Sequence, residues 1–275
     1  MTAQAIEVFA PAKINLTLHV TGQRADGYHL LDSLVMFADV GDRVTVALAE
    51  EISLRVTGPM APGVPDDARN LCWKAAQAFG EPVAITLDKH LPAAAGIGGG
   101  SSDASAVLRG MERLFDRPSG VSALDLGADV PVCMTAQAAR MQGIGEKVTP
   151  LGMPPFPALL VNPRVEVATP AVFRALRRKD NGAMAPMPEA GGASAAIEWV
   201  SGQRNDLQAP AVAVQPVISE VLERLENLAG VRLARMSGSG ATCFALFDTR
   251  AAADSAGATL SSARPDWWVR STILR

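Results

Sequence analysis

Cysteine is scarce in this sequence, and the three that occur, Cys72, Cys133 and Cys243, lie far apart along the chain. Their spacing matches neither a zinc-binding motif nor a disulfide framework. Each has apolar neighbours in the sequence, so we expect three reduced, buried thiols, which is typical of a cytoplasmic protein. The cysteine content therefore argues against a small disulfide-rich secreted domain.

An excess of charge of one sign is also missing, because 25 basic and 28 acidic residues give a net charge of −3. Nucleic acid or an anionic membrane would favour a basic surface, so we expect neither as a partner. No uncharged apolar run approaches the ~20 residues that a membrane-spanning helix needs, and the N-terminus lacks the pattern of a signal peptide. We expect a cytoplasmic protein that is a monomer or a homodimer.

The chain of 275 residues is long enough for about two domains of ~150 residues each. Strand-like alternation of apolar residues dominates its first part, and amphipathic helices follow. This order, with strands first and helices after them, favours an α+β fold over a doubly wound parallel sheet. The predicted strands are 14–20, 33–40, 43–48, 52–56 and 83–87, and the predicted helices are 70–79 and 102–114.

Four prolines in the eight residues 150–157 mark a change of composition. Proline continues neither a helix nor an interior strand, so we place a domain boundary here and expect domains 1–152 and 153–275. For the second domain the patterns predict strands at 158–161, 231–236 and 243–247, helices at 169–178 and 216–228, and an exposed, mobile loop at 181–195.

The strongest motif is the glycine- and serine-rich run LPAAAGIGGGSSDASAVL at 91–108. Glycines at 96, 98, 99 and 100 lack the Cβ atoms that would hold a ligand away from the backbone, and successive N–H groups can form an anion site. An amphipathic helix follows at once and adds the positive end of its dipole. We predict a polyphosphate site at Gly96–Ser102. The alternatives are a flexible hinge and a glycine that caps a helix.

The run departs from the two best-known phosphate motifs. No Gly-Lys-Ser/Thr follows it, as a P-loop would require. The dinucleotide pattern G-x-G-x-x-G also fails, because its last glycine would fall on Ser101 or Asp103.

Three motifs together resemble the GHMP kinases, a family named for galactokinase, homoserine kinase, mevalonate kinase and phosphomevalonate kinase. They are APAKINLTL at 10–18, PAAAGIGGGSSDASAVL at 92–108 and RMSGSGATCF at 235–244, in the order that the family has them. The resemblance implies an N-terminal domain like the second domain of ribosomal protein S5, a ferredoxin-like C-terminal domain, and ATP as the phosphoryl donor. The implied ATP-binding residues are Pro92, Ala93, Ala94, Ala95, Gly96, Ile97, Gly98, Gly99, Gly100, Ser101 and Ser102, with Asn70, Leu71 and Lys89 at the adenine.

Lys13 and Asp129 are the candidate catalytic residues. By their sequence context alone, Lys13 could be a surface lysine at a strand end, and Asp129 a helix cap or a turn residue. Both match positions assigned to catalysis in the family. The resemblance implies that Asp129 accepts or orients the proton of the substrate hydroxyl, while Lys13 keeps Asp129 ionised and stabilises the moving phosphoryl group. Mg²⁺ is expected with ATP, held by phosphates, water and Ser102, since the sequence offers no dedicated acidic metal site.

Tyr28, the only tyrosine, and His29 follow the turn signal Asp26-Gly27. Taken alone they favour a half-buried structural pair. The segment 10–31, with LGADVPV at 126–132, TPAVF at 169–173 and NDLQ at 205–208, resembles the branch of the family that phosphorylates the 2-hydroxyl of a cytidine diphosphate ester of methylerythritol in the non-mevalonate isoprenoid pathway. This implies Tyr28 and Phe173 on the two faces of the cytosine, His29 at its edge, and Asn15 and Thr169 as further substrate contacts.

Three alternatives stay open at this point. The chain could be another kinase of the family that acts on homoserine or mevalonate, although such substrates have no base to stack on Tyr28. It could be a non-catalytic sensor of the same fold, or a nucleotide-binding module without kinase chemistry.

Overall fold

The computed structural model describes residues 5–188 and 191–275, and it divides the chain into two compact units that are each discontinuous in sequence. Unit 1 consists of the described residues up to Lys13 together with Val40–Ala93 and Gly98–Ala136. Unit 2 consists of Ile14–Asp39, Ala94–Ile97 and the described part of Gln137–Arg275.

The strands, in chain order, are β1 (Ala5–Asn15), β2 (His19–Gln23), β3 (His29–Leu48), β4 (Ser53–Thr57), β5 (Val83–Asp88), β6 (Ala139–Gly143), β7 (Lys147–Pro150), β8 (Phe156–Asn162), β9 (Val231–Met236), β10 (Cys243–Phe247) and β11 (Trp268–Leu274).

The helices are α1 (Leu71–Phe79), α2 (Gly99–Phe115), α3 (Ala123–Leu126), α4 (Val130–Thr135), α5 (Thr169–Ala175), α6 (Gly192–Ser201), α7 (Gln208–Val214), α8 (Val217–Glu226) and α9 (Arg250–Ala263). None of the helices in the described ranges is long and apolar enough to cross a membrane.

Unit 1 is built from the second part of β3, with β4, β5 and helices α1 to α4. β5 runs antiparallel to β3, from Arg43↔Asp88 to Leu48↔Val83, and parallel to β4. Helices α1 and α2 pack together, and their apolar faces meet those of the strands in one buried cluster. Its members include Val44, Val46, Ile85, Leu87, Cys72, Ala76, Val107, Leu108 and Met111.

Unit 2 contains a sheet in the order β11–β8–β10–β9. Every pair in it is antiparallel, α5 to α8 connect β8 to β9, and α9 connects β10 to β11. This is the βαββαβ connectivity of a ferredoxin-like domain, which confirms the expectation for the C-terminal half. The first part of β3 pairs antiparallel with β2 and β6, and β6 pairs with β7.

β3 is one strand of 20 residues, so the prediction of two strands, 33–40 and 43–48, was wrong at their junction. Gly41-Asp42 is a pair typical of turns. Here the Asp42 side chain is buried and accepts hydrogen bonds from Lys89 and from the backbone of His90 and Leu91. These bonds occupy the carboxylate that would otherwise stabilise a turn, and the strand continues.

The predicted mobile loop at 181–195 was wrong in two places. Met184 is buried, with 7% of its surface exposed, and its backbone N–H donates to Asp32 Oδ2 at 3.0 Å. Residues 192–195 already belong to α6, while residues 189 and 190 lie outside the described part of the chain. The helix predicted at 169–178 ends earlier, at Ala175.

The domain boundary at 152/153 stays a prediction. The two compact units interleave along the sequence and so do not correspond to a single cut.

Candidate active site

Lys13 and Asp129, both in unit 1, form an ion pair with 2.8 Å between Lys13 Nζ and Asp129 Oδ1. Lys13 lies inside β1 with only 4% of its side chain exposed, so it is not a surface lysine at a strand end. Asp129 occupies the N-cap position of α4, but its side chain makes no capping hydrogen bond to a described residue. The carboxylate is 34% exposed and faces the lysine instead. The structure thus argues against a surface lysine at 13 and against a capping role for the Asp129 side chain, although Asp129 does lie in the turn that precedes α4.

The helix that carries Asp129 is held by α2. Arg109, on α2, donates from its guanidinium to Cys133 O at 2.8 Å and to Phe9 O at 2.9 Å. One half-buried side chain therefore ties together the end of α4 and the strand that contains Lys13, because Phe9 belongs to β1. At the other end of α4, Val130 O lies 3.2 Å from Ser105 Oγ, whose single proton also has Ser101 O as an acceptor at 2.8 Å.

The glycine run forms the start of α2, which begins at Gly99 rather than at the predicted residue 102. Gly98 is the N-cap residue and has φ +62°, a conformation that favours glycine. A Cβ there would lie 3.2 Å from Lys13 Cβ and Cε. Within unit 1, the start of this helix therefore adjoins the lysine of the ion pair.

No side chain of the described residues caps the N-terminus of α2 by a hydrogen bond. Its first backbone N–H groups have no partner inside the helix, and they are the groups that bind anions in other proteins. Ser102 Oγ is fully buried and has no hydrogen-bond partner in the described part of the chain. This arrangement excludes a mere glycine cap at the end of a helix, and it supports the predicted phosphate site.

The preceding residues of the loop, Ala94–Ile97, belong to unit 2 and are held by the turn between β9 and β10. Ser237 Oγ donates to Gly96 O at 3.0 Å, and Thr242 N donates to Ala95 O at 3.1 Å. Gly96 has φ +72°, and a Cβ there would lie 2.6 Å from Ser237 O. The RMSGSGATCF motif thus fixes the backbone of the glycine loop, and the close approach requires glycine at 96.

Lys89 lies in a buried charge cluster of unit 1 with Asp42 and Asp103. Its ammonium group donates to Asp42 Oδ2 and, at 2.7 Å, to Asp103 Oδ2. Asp42 Oδ1 also accepts the N–H groups of His90, at 2.5 Å, and Leu91, at 2.8 Å. Lys89 is 4% exposed. The cluster therefore connects the end of β5 to the second turn of α2 and spans the base of the loop.

Asp103, one of the two carboxylates in this cluster, has an oxygen atom that forms no hydrogen bond within the described part of the chain. This atom, Oδ1, is buried and has no partner there. Burial, and the neighbouring Asp42, raise the pKa of Asp103 to about 8, although the nearby Lys89 opposes the shift. Burial by itself would lower the pKa of Lys89, but the carboxylates of Asp103 and Asp42 outweigh this effect and raise the pKa above its ordinary value.

Asn70 and Leu71 lie at the start of α1. Asn70 is its N-cap: Asn70 Oδ1 accepts from Cys72 N at 2.9 Å, and Nδ2 donates to Pro65 O at 2.7 Å. A Cβ at Gly100 would lie 3.7 Å from Leu71 Cδ1, so Leu71 adjoins the glycine run within unit 1. Their predicted role at the adenine stays a prediction.

The predicted base-binding residues lie in unit 2. The rings of His29 and Phe173 are stacked, with centroids 4.5 Å apart and an angle of 23° between the planes. Tyr28 is 59% exposed. His29 Nε2 is buried without a partner in the described residues, and burial lowers the pKa of this imidazole, with a smaller effect of Lys179 in the same direction. Thr169 Oγ1 lies 2.7 Å from Ser239 Oγ in the turn after β9.

Asn15 is almost completely buried in unit 2. Its backbone N–H donates to Ser237 Oγ at 3.0 Å, and its Nδ2 donates to Ser33 Oγ at 2.8 Å. Asn15 Oδ1 has no hydrogen-bond partner in residues 5–188 and 191–275.

Sequence reasoning missed the residues that support these groups. Ser237 and Ser239 lie in the quoted RMSGSGATCF motif, so that motif was the available signal. Asp103 directly follows the glycine and serine run. The positions of Asp42, Ser33 and Arg109 carry no local signal, because their partners are 16 or more residues away in the sequence.

The three cysteines are buried free thiols, as expected. Burial raises the pKa of Cys133 to about 12 and that of Cys72 and Cys243 well above the ordinary value, so none of them is a thiolate near neutral pH. Among the described residues, no group of three or more His, Cys, Asp or Glu side chains is arranged to hold a metal ion.

Two family models match this chain: the GHMP kinases N terminal domain over residues 70–138 and the GHMP kinases C terminal domain over residues 172–266. The chain belongs to the GHMP kinase family. A homoserine kinase from Cytophaga hutchinsonii, at 17% identity, shares the fold with a TM-score of 0.67 over 99% of this chain and 95% of that one.

Three similarities of higher identity are to proteins that carry the name of one enzyme of the family. The chain is 55% identical to a 4-diphosphocytidyl-2-C-methyl-D-erythritol kinase from Dinoroseobacter shibae, over 99% of this chain and 96% of that protein. It is 54% identical to the protein of the same name from Jannaschia sp., over 98% and 97%. A crystal structure of 4-(cytidine 5'-diphospho)-2C-methyl-D-erythritol kinase matches with a TM-score of 0.79 at 35% identity, over 98% of this chain and 99% of that one.

Proposed function

We propose that this chain transfers the γ-phosphoryl group of ATP to the 2-hydroxyl of 4-diphosphocytidyl-2-C-methyl-D-erythritol, a step of the non-mevalonate route to isoprenoids. The observation that carries the proposal is the Lys13–Asp129 pair, 2.8 Å apart, with the lysine side chain against Gly98 at the start of α2. A proton acceptor, a cation and an anion-binding helix end are thereby combined in one unit. The full-length similarity to kinases named for this substrate supports the choice of acceptor.

The chemistry asks little of the protein beyond positioning and charge stabilisation. The substrate oxygen forms a bond to the γ-phosphorus as the bond between that phosphorus and the β,γ-bridging oxygen breaks, and ADP leaves. The hydroxyl proton passes to the carboxylate of Asp129 and then to water. Lys13 stabilises the negative charge on the attacking oxygen and on the phosphoryl group, and the N–H groups at the start of α2 hold the phosphates.

A magnesium ion fits this site if the phosphates supply most of its ligands. The unpartnered Ser102 Oγ is a suitable protein ligand, whereas a site built from several carboxylates has no basis in the described residues. When bound, Mg²⁺ would neutralise phosphate charge.

Cytosine recognition is assigned to the aromatic residues of unit 2. Tyr28 offers an exposed ring for stacking, and Phe173 carries His29 on one of its faces. The lowered pKa of His29 leaves a neutral imidazole at pH 7, which has one donor and one acceptor nitrogen. A neutral ring of this kind can pair with the amino and carbonyl groups at the edge of cytosine.

ADP release in the presence of ATP tests the proposal, with the cytidine diphosphate substrate, homoserine and mevalonate offered in parallel. Activity with the first compound alone is expected, and Asp129→Asn is the matched inactive control. Activity confined to homoserine or mevalonate would assign the chain to another branch of the family. Tight ATP binding without turnover on any of the three would favour a sensor. The monomeric or homodimeric state and the cytoplasmic location stay predictions.

A further inference from the structure

Ser33 and Asn15 form a buried hydrogen-bonded pair in unit 2 that the proposed chemistry has not used. Asn15 Nδ2 donates to Ser33 Oγ at 2.8 Å. Ser33 Oγ donates in turn to the carbonyl oxygen of Thr17 at 2.5 Å. Both side chains are buried, Ser33 with 0% and Asn15 with 1% of its surface exposed, so water does not compete for these bonds.

The directions of these two bonds follow from the number of protons available. A serine hydroxyl has one proton, and a carbonyl oxygen can only accept. Since the Ser33 proton is given to Thr17 O, Ser33 Oγ can only accept from Asn15. The amide of Asn15 must therefore present its NH₂ group to Ser33, and its oxygen must point the other way.

The oxygen that results has no partner in the described ranges and is buried. A buried acceptor without a partner costs about 1–3 kcal/mol, so such atoms call for an explanation. The backbone around it is fixed, because Asn15 N donates to Ser237 Oγ, and Gly238 leaves room beside it: a Cβ there would lie 3.4 Å from Asn15 Oδ1. The amide therefore cannot turn away without breaking the bond to Ser33.

Because Asn15 Oδ1 can only accept hydrogen bonds, its ligand must be a hydrogen-bond donor. An amide oxygen repels the oxygens of a phosphate and accepts from a hydroxyl group. A polyol offers several hydroxyl donors, and the substrate of the proposed function is a phosphate ester of a polyol.

We propose that Ser33 is a positioning residue that holds the Asn15 amide so that Asn15 Oδ1 accepts a hydrogen bond from a hydroxyl of the alcohol substrate. This inference rests on the proposed function and adds to it a residue, Ser33, that orients the Asn15 amide toward the alcohol substrate.

A double-mutant cycle tests it in the full chain, with kcat and KM measured separately for ATP and for the cytidine diphosphate substrate. Ser33→Ala should lower kcat/KM for the alcohol about 10-fold, equivalent to about 1.4 kcal/mol, and leave KM for ATP unchanged. Asn15→Ala should lower it further. Ser33→Thr, which keeps the hydroxyl, should restore activity to within about 3-fold of wild type.

The decisive measurement is kcat/KM of the double variant Ser33→Ala/Asn15→Ala. If Ser33 acts through Asn15, Ser33→Ala should have no further effect in the Asn15→Ala background, since contacting residues that share one interaction are not additive. Thr272→Val is the matched control, because it removes another fully buried hydroxyl of unit 2, bonded to Asp39 N at 3.1 Å, and should leave both KM values unchanged.

The inference would be overturned if Ser33→Ala lowered kcat/KM for the alcohol equally in the wild type and in the Asn15→Ala background. A Ser33→Ala variant with wild-type kcat and KM would also overturn it. A rise in KM for ATP in place of KM for the alcohol would also contradict it. Thermal midpoints of all variants identify losses that are due to unfolding. Wild-type activity in the same assay reports on the proposed function: an inactive wild type contradicts that function, whereas an active wild type with additive variants contradicts only the role of Ser33.

Discussion

Lys13 and Asp129 lie 2.8 Å apart but differ strongly in exposure, with 4% of the lysine side chain and 34% of the aspartate side chain accessible. The pair thus has a buried, fixed cation and a carboxylate that a ligand can reach. A surface ion pair of ordinary type would expose both partners and contribute little to stability. This asymmetry is what a proton acceptor oriented by a neighbouring cation requires.

Replacement of either member should strongly reduce turnover without unfolding the protein. Asp129→Asn and Lys13→Met should each lower kcat about 100-fold or more, the range expected for loss of a general base or a charge-stabilising group. Steady-state ADP release is the measurement, and Lys147→Met, which removes an exposed lysine, is the control. Near-normal turnover of Asp129→Asn would rule out the role of this carboxylate as the base.

Gly96 should be irreplaceable because of its surroundings as well as its conformation. Gly96→Ala places a Cβ 2.6 Å from Ser237 O. Gly63 has a similarly positive φ, +82°, but a Cβ there would meet no atom of the described residues within 4 Å. We expect Gly63→Ala to cost about 1–2 kcal/mol of unfolding free energy and to leave KM for ATP unchanged. Gly96→Ala should cost more and raise KM for ATP at least about 10-fold. Equal effects of the two variants would show that the contact with Ser237 has no role.

Asp103 should make stability depend on pH in the neutral range. Its pKa is about 8 in the folded protein against 3.8 ordinarily, so between these values the folded state binds a proton that the unfolded state has lost. Stability that this group contributes is therefore present at low pH and falls as pH rises toward 8, by up to about 1.4 kcal/mol per pH unit. Above pH 8 the dependence levels off.

Urea unfolding of wild type and Asp103→Asn between pH 5 and pH 9 measures this effect. Asparagine imitates the protonated carboxyl group, so the difference between the two proteins should change with pH in favour of the variant. The comparison cancels the titration of groups that do not interact with Asp103. A wild type that gains stability over the variant as pH rises would mean that Asp103 is ionised against Lys89.

Asp32 should hold the segment around Met184 in place. Burial alone would raise the pKa of Asp32, but hydrogen bonds from Arg140 and from the Met184 N–H outweigh it and lower the pKa. Asp32→Ala removes the acceptor of the Met184 amide, whereas Arg140→Met leaves that acceptor in place. Hydrogen exchange of the Met184 amide should speed up at least about 10-fold in the first variant only. Similar exchange in both variants would contradict this role.

The parts of the site that are local in sequence were predictable. The glycine run followed by the apolar periodicity of α2 indicated a helix N-terminus suited to phosphate, because a helix dipole and free N–H groups follow from a few adjacent residues. The family motifs added Lys13 and Asp129. The helix α2 begins at Gly99, three residues earlier than predicted. The prediction depended on the apolar periodicity, which begins only after the glycines.

By itself, then, the sequence determined the family, the α+β class, the order of the motifs and the residue types of the phosphate loop, since these depend on short-range patterns. Only the tertiary structure decided how the charges are shared. It paired Lys13 with Asp129 across 116 positions and gave Lys89 two carboxylate partners. It also left one oxygen of Asp103 and one of Asn15 without a hydrogen-bond partner among the described residues. Hydrogen bonds between distant residues leave no local pattern, and the burial that makes each unpaired atom costly exists only after the chain has folded.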